Sequence, residues 1–143
     1  MLIKTILSEK GGDIISVDGS TRIEKVTQVL KTHRIGAVLV LEGDGVIDGV
    51  LSERDIVRGL AEKGAGVLQL EAKALMTSDV ITCTPDQDLR GAMEIMTTKR
   101  IRHLPIVENG RLIGLVSIGD LVKYRISEAE QEAEALRGYI ATG

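Results

Sequence analysis

The chain has 143 residues, 43% hydrophobic and 27% charged, a globular composition that allows one medium domain or two small intertwined ones. With no Phe, no Trp and two Tyr, its core is aliphatic, and it lacks the aromatic platform on which single-stranded nucleic acid stacks. The net charge of −3 sits in the tail, where Glu128, Glu130, Glu132 and Glu134 face only Arg137; the other 17 acids and 17 bases balance, which argues against DNA or an anionic membrane as the main partner.

The first segment, "LIKTILSEK", reads as a short helix. A short apolar run, "IISV", follows, then the turn signal "DGS" and a helix-period stretch with Ile23, Val26 and Leu30 on one face. Next come "AVLVL", the turn pair Asp44-Gly45 and "VIDGVLS", a strong hairpin pattern. A second helix begins after Ser52, and "EKGAGVLQ" reads as a linker. Beyond it, "LQLEAKALMTS" looks like a second short helix, matched to the first.

The same order then recurs. "VITCT" is a strand, "TPDQD" a turn, and Leu89, Ala92, Met93 and Met96 mark a helix. "LPIVE", Asn109-Gly110 and "RLIGLVS" repeat the hairpin, and a helix starts after Ser117. Ile14 falls on Val80 and Ile35 on Ile101, a spacing of 66; after one residue is dropped in the turn, Ser52 falls on Ser117 at a spacing of 65. The unit is β-α-β-β-α, with strands expected near 14–17, 37–41, 46–51, 80–83, 104–107 and 111–116. Two such units of about 60 residues are marginal alone, so they are expected to pack face to face over a shared core. After the second unit, Ile126, Ala129, Ala133, Leu136 and Ile140 form one stripe on an acidic amphipathic helix, which either docks on its own body or meets a partner.

"GVLSERD" and "GLVSIGD" hold the chemistry. A single Ser-x-x-Asp before an apolar run is a helix-capping pattern. Two copies at matched positions invite a second use. A Ser hydroxyl and backbone N–H groups at a helix N-terminus suit a phosphate. A nearby carboxylate can accept hydrogen bonds from both hydroxyls of a ribose.

Together with "RIRHLPIV" and "KALMTSDVITCTPD", these stretches resemble the tandem CBS-domain proteins, or Bateman modules, over residues 8–127. The resemblance implies CBS repeats at 8–66 and 74–127 in pseudo-twofold contact, followed by a C-terminal helix at 128–143. It implies two clefts for adenosyl ligands such as AMP, ATP, NAD(H) or S-adenosylmethionine, acting as regulatory ligands rather than catalytic cofactors. It also implies a homodimer that regulates an unidentified protein in trans, with no nucleic acid and no membrane as partner. In one cleft, Ser52 would hold phosphate and Asp55 ribose, with Val50 beside the base, Arg54 inside the motif, Gly36 and Ala37 nearby, and Asp79 and Val80 of the other repeat closing the adenine pocket. In the other, Ser117, Asp120 and Leu115 take the matching roles, with Arg102 and His103 nearby and Asp13 and Ile14 opposite. Arg102 and His103 can face phosphate and Gly36 and Ala37 cannot, so the clefts are expected to differ.

Two other readings compete. In a ligand-free scaffold the Ser-x-x-Asp boxes are caps and nothing more. A small enzyme needs an acid–base set or a metal, yet His33 and His103 fall at unlike places in the repeats, and there is neither a His-x-x-x-His or Glu-x-x-His pattern nor a phosphate-binding Gly-x-x-x-x-Gly-Lys loop. The single Cys83 rules out an internal disulfide and reads as a small core residue. No apolar run approaches about 18 residues and no signal peptide is visible, so a cytoplasmic protein is expected.

Overall fold

The computed structural model describes residues 1–11, 14–43 and 45–142. These residues gather into two compact units, one made of Met1–Gly12 with Thr82–Gly143 and the other of Asp13–Ile81. Each repeat therefore shares its unit with the short helix that precedes the other repeat. Helix α1 (Ile3–Lys10) buries Ile3 and Ile6, and its first turn is tied to the second repeat by Ile3 N–H to the Gln87 carbonyl and Lys4 N–H to the Pro85 carbonyl, at 2.9 and 3.0 Å. The matching bonds in the other unit run from Ala72 N–H to Thr21 O and from Lys73 N–H to Gly19 O, at 2.7 and 3.1 Å.

In the Asp13–Ile81 unit, β1 (Ser16–Val17) pairs in parallel with β2 (Ala37–Glu42), and β2 pairs antiparallel with β3 (Val46–Ser52). Helix α2 (Ile23–His33) places Ile23, Val26 and Leu30 in the core at the spacing its sequence predicts, against Val38, Val40, Leu51 and Ile56. Helix α3 (Glu53–Lys63) follows β3 directly; a 3₁₀ turn (Ala65–Gln69) and the one-turn α4 (Ala72–Leu75) then bring the chain back onto the same core through Val67 and Ala72. In the other unit, α5 (Leu89–Lys99) buries Leu89, Ala92 and Met96, β4 (His103–Glu108) pairs antiparallel with β5 (Arg111–Ser117), and α6 (Ile118–Thr142) runs on from β5.

The duplication extends to backbone irregularities. Arg34 and Arg100 end α2 and α5 in the left-handed conformation, at φ 54° and 55°. The hairpins change register between Val40 and Leu41 and between Ile106 and Val107. The dropped residue lies in the turn, since Glu42 faces Val46 but Glu108 faces Arg111. Asn109 and Gly110 have the positive φ values, 53° and 76°, that a two-residue hairpin turn needs. Gly45 is positive as well, while Asp44 lies outside the described residues.

Two expectations are revised. The strand expected at 80–83 shrinks to one parallel bridge between Cys83 and Ile106. In the first repeat, Leu39 N–H donates to Ile15 O at 3.3 Å. Pro105 stands where Leu39 does and has no N–H, so the matching bond to Ile81 cannot form. The helix after Ser117 and the acidic tail helix are one 25-residue element. Its apolar stripe does not dock on the body: Ile126, Leu136 and Ile140 are 55%, 60% and 68% exposed. Cys83 is buried, and burial pushes its thiol up to about 11.

Gly49 explains the glycine that opens the first motif copy. A Cβ there meets the Thr77 carbonyl oxygen at 2.8 Å and Met76 Sδ at 2.6 Å, because Val50 and Thr77 exchange two backbone hydrogen bonds, at 3.0 and 2.9 Å. At Gly114 the obstacle is the flexible end of Leu7. Gly49→Ala is therefore expected to destabilise the protein by about 1–3 kcal/mol, and Gly114→Ala by less, measured by urea unfolding.

Candidate functional site

Each Ser-x-x-Asp motif sits where a strand turns into a helix. At the end of β3, Ser52 is extended and caps α3. Its Oγ accepts from Asp55 N–H at 3.3 Å, and Asp55 Oδ2 accepts from Ser52 N–H at 2.9 Å and from Ser52 Oγ–H at 3.0 Å. At the end of β5, Asp120 N–H donates to Ser117 Oγ at 3.1 Å and Ser117 N–H to Asp120 Oδ2 at 2.8 Å. Both capping boxes are formed. This does not exhaust the carboxylates, since each has two oxygens and about four acceptor sites.

The residues before the second strand meet these boxes through the backbone. Gly36 O accepts from Glu53 N–H and Arg102 O from Ile118 N–H, both at 2.9 Å. Ala37 pairs with Ser52, and His103 with Ser117. Gly36 is half-buried, Arg102 exposed and His103 half-buried. Val50 and Leu115 sit two residues before their serines and are half-buried. Arg54 points from the first turn of α3 and is exposed. Asp79, exposed, and Val80, half-buried, lie in the same unit as Ser52 and Asp55, although the repeat pattern assigns them to the second repeat. The strap that carries them is anchored by the Val50–Thr77 bridge. Ile14 is half-buried in the Asp13–Ile81 unit, and Asp13 lies outside the described residues.

The two boxes differ in their cations. Asp55, 11% exposed, has Arg58 at 3.6 Å one helical turn on. Asp120 holds Lys10: the ammonium donates to Asp120 Oδ2 at 2.7 Å and to the Leu115 carbonyl at 2.6 Å. Sequence reasoning passed over Lys10. A lysine in the last turn of a helix is ordinary dipole compensation, and only the packing of α1 on the second repeat brings it to Asp120. Burial alone raises the Asp120 carboxyl, but the Lys10 hydrogen bond, the Ser117 N–H, the Lys10 charge and the Ser117 hydroxyl together hold it below its ordinary 3.8. Nearby, desolvation and a hydrogen bond to Glu9 push the Tyr124 phenol up.

In the Asp13–Ile81 unit, Asp55, Arg58, Gly59, Glu62, Lys63, Ala74 and Leu75 line a recess of about 130 Å³. A wider groove of about 510 Å³ runs along α2 and α3, bounded by Lys31, Arg34, Glu53 and Val57. Among the described residues no group of His, Cys, Asp or Glu is arranged to hold a metal ion, and no helix is long and apolar enough to cross a membrane.

The model of the CBS domain matches the chain twice, at residues 3–62 and 72–127. The chain belongs to the CBS-domain family. The mitochondrial CBS domain-containing protein CBSX3 of Arabidopsis thaliana is 32% identical over 152 residues, covering 99% of this chain and 72% of the relative. The crystal structure of the CBS-domain containing protein ATU1752 from Agrobacterium tumefaciens is 42% identical, with a TM-score of 0.85 over 87% of this chain and 99% of that one. The CBS domain pair of protein MJ0100, crystallised with 5-methylthioadenosine and S-adenosyl-L-methionine, shares the fold at 22% identity, with a TM-score of 0.79 over 90% of this chain and 98% of that one.

The Asp120 shift sets an acid-side stability dependence. A carboxyl whose folded pKa is depressed contributes stability that is full above its unfolded value and is lost as pH falls through the folded one. Asp120→Asn is expected to flatten the loss of stability between about pH 5 and pH 2, read from urea midpoints across that range.

Proposed function

We propose that this CBS pair is a regulatory sensor that binds adenosyl ligands at its two Ser-x-x-Asp boxes and acts in trans on a partner protein. The observation that carries the reading is the doubled box itself. In each repeat, Ser and Asp stand at the head of a helix, bonded through the backbone to the residue before the second strand. A helix N-terminus favours phosphate, and the uncommitted acceptor sites of the carboxylate favour ribose hydroxyls. Val50 and Leu115 supply apolar flanks for adenine. Ser52, Asp55, Val50, Arg54, Gly36, Asp79 and Val80 form the first set of ligand residues; Ser117, Asp120, Leu115, Arg102 and His103 form the second. The ligand complexes of MJ0100 support the adenosyl class, with AMP, ATP and NAD(H) as the candidates here.

The function is binding, without turnover. The boxes offer acceptors and phosphate-favouring N–H groups, with no paired general acid and base, which favours a sensor over a small enzyme. The working form is a homodimer. Supporting it are Val57 and Val122, at matched places on α3 and α6, exposed at 64% and 39%, followed by the exposed Ile126, Leu136 and Ile140.

Isothermal titration with AMP, ATP, NADH and S-adenosylmethionine tests the reading. Heat of binding without product formation is expected, and silence with all four supports the ligand-free scaffold. Asp55→Asn and Asp120→Asn keep an oxygen for the cap but lose the charge, so each is expected to weaken one binding event by about 1.5–3 kcal/mol per lost charge-assisted bond. Light scattering at micromolar concentration is expected to report a dimer, and a monomer refutes the assembly.

A further inference from the structure

Lys10 gives the second box a property the first does not have. Its ammonium bridges the Leu115 carbonyl and the Asp120 carboxylate, at 2.6 and 2.7 Å. These are the residues that the adenosyl reading assigns to the base and the ribose. The corresponding carbonyl of the first repeat, Val50 O, is taken by the backbone N–H of Thr77 at 2.9 Å. The cation near Asp55, Arg58, stands at 3.6 Å on a side chain that is 66% exposed.

The difference follows from the lengths of two otherwise matched helices. Helix α1 stays helical through Lys10 before Gly11, at φ 94°, ends it. Helix α4 stops at Leu75, and Met76 leaves it extended, at ψ 153°. The strap after α4 therefore lays backbone against β3, whereas α1 brings a side-chain ammonium to β5 and to the head of α6. An ammonium has three donors, and the bridge uses two.

A ribose that takes Asp120 competes with this ammonium. An uncharged nucleoside gives nothing in return for the disturbed ion pair. A ligand with a phosphate offers the same ammonium a new charged partner within reach of a flexible four-carbon stem. We propose that Lys10 is the residue that selects anionic, phosphate-bearing adenosyl ligands at the Ser117–Asp120 box, and that the Ser52–Asp55 box does not share this selectivity. The proposal rests on the adenosyl reading above and adds a specificity determinant to it.

The test is the preference for AMP over adenosine at the tighter site, measured by titration calorimetry on the full chain carrying Asp55→Asn, which weakens the first box and so separates its binding from that of the second. This parent is compared with the same chain carrying Lys10→Met or Lys10→Arg, each checked for folding by circular dichroism. Lys10→Met is expected to lower the AMP-to-adenosine affinity ratio about tenfold, mainly through weaker AMP binding, because Lys10 is a third exposed and partly screened. Lys10→Arg, which keeps the charge, is expected to retain most of the ratio. An unchanged ratio in a folded Lys10→Met chain, or equal tightening of both ligands, overturns the proposal and leaves the adenosyl reading standing. If the unsubstituted chain gives no heat with AMP, ATP, NADH or S-adenosylmethionine, the adenosyl reading itself falls, and the role of Lys10 with it.

Discussion

A helix begins with backbone N–H groups that have no partner inside the helix, and in each repeat they emerge directly from a strand. The reciprocal bonds of Ser52 with Asp55 and of Ser117 with Asp120 satisfy part of that need. The carbonyls of Gly36 and Arg102 satisfy another part. The angle at which α3 and α6 leave their sheets depends on these few bonds, and so does the burial of Ile56 and Leu121, one turn into each helix. On the adenosyl reading, cap and binding site are the same atoms. A serine and an aspartate kept for folding reasons already present oxygens and N–H groups of the kind a ribose phosphate needs.

Much of this was legible in the sequence because it follows local rules. The 3.6-residue spacing of Ile23, Val26 and Leu30 set α2, and Asn109-Gly110 set the second hairpin. The dropped residue appeared where the two alignments changed spacing, and the structure puts it in that turn. The expected strand at 80–83 failed for a reason also printed in the sequence: Pro105 removes one donor from its partner strand. An apolar run is only half of a strand; the other half is a partner able to donate.

What sequence pattern could not deliver was the exchange of short helices between units. Periodicity describes one face of one segment and says nothing about which core receives it. The strap from Ala72 to Ile81 reads as the approach to the second repeat, yet its bonds go to Gly19, Thr21 and Val50. Likewise, α1 sits before the first repeat but bonds to Pro85 and Gln87. Lys10 was invisible for the same reason, since a helix-end lysine acquires meaning only when its neighbours are known.

The same exchange makes the two boxes unlike. Had α1 and α4 been equal in length, both carbonyls beside the motif would have met the same kind of partner. Instead, the carbonyl beside one motif meets a backbone N–H and the carbonyl beside the other a side-chain ammonium. A backbone bridge fixes shape, so on the adenosyl reading the first box would discriminate by fit against the Val50–Thr77 strap. A side-chain ammonium can turn to a new partner, so the second, as proposed, would discriminate by charge. Asp120 also starts a helix of 25 residues, about 37 Å long, whose far end exposes Leu136, Tyr139 and Ile140. That box therefore stands at the head of the one element in the described chain that reaches well beyond its own core, whereas α3, capped by Ser52 and Asp55, ends after 11 residues against the 3₁₀ turn that returns to the core. Of the two boxes, the one proposed to respond to ligand charge is the one whose helix carries an exposed apolar surface.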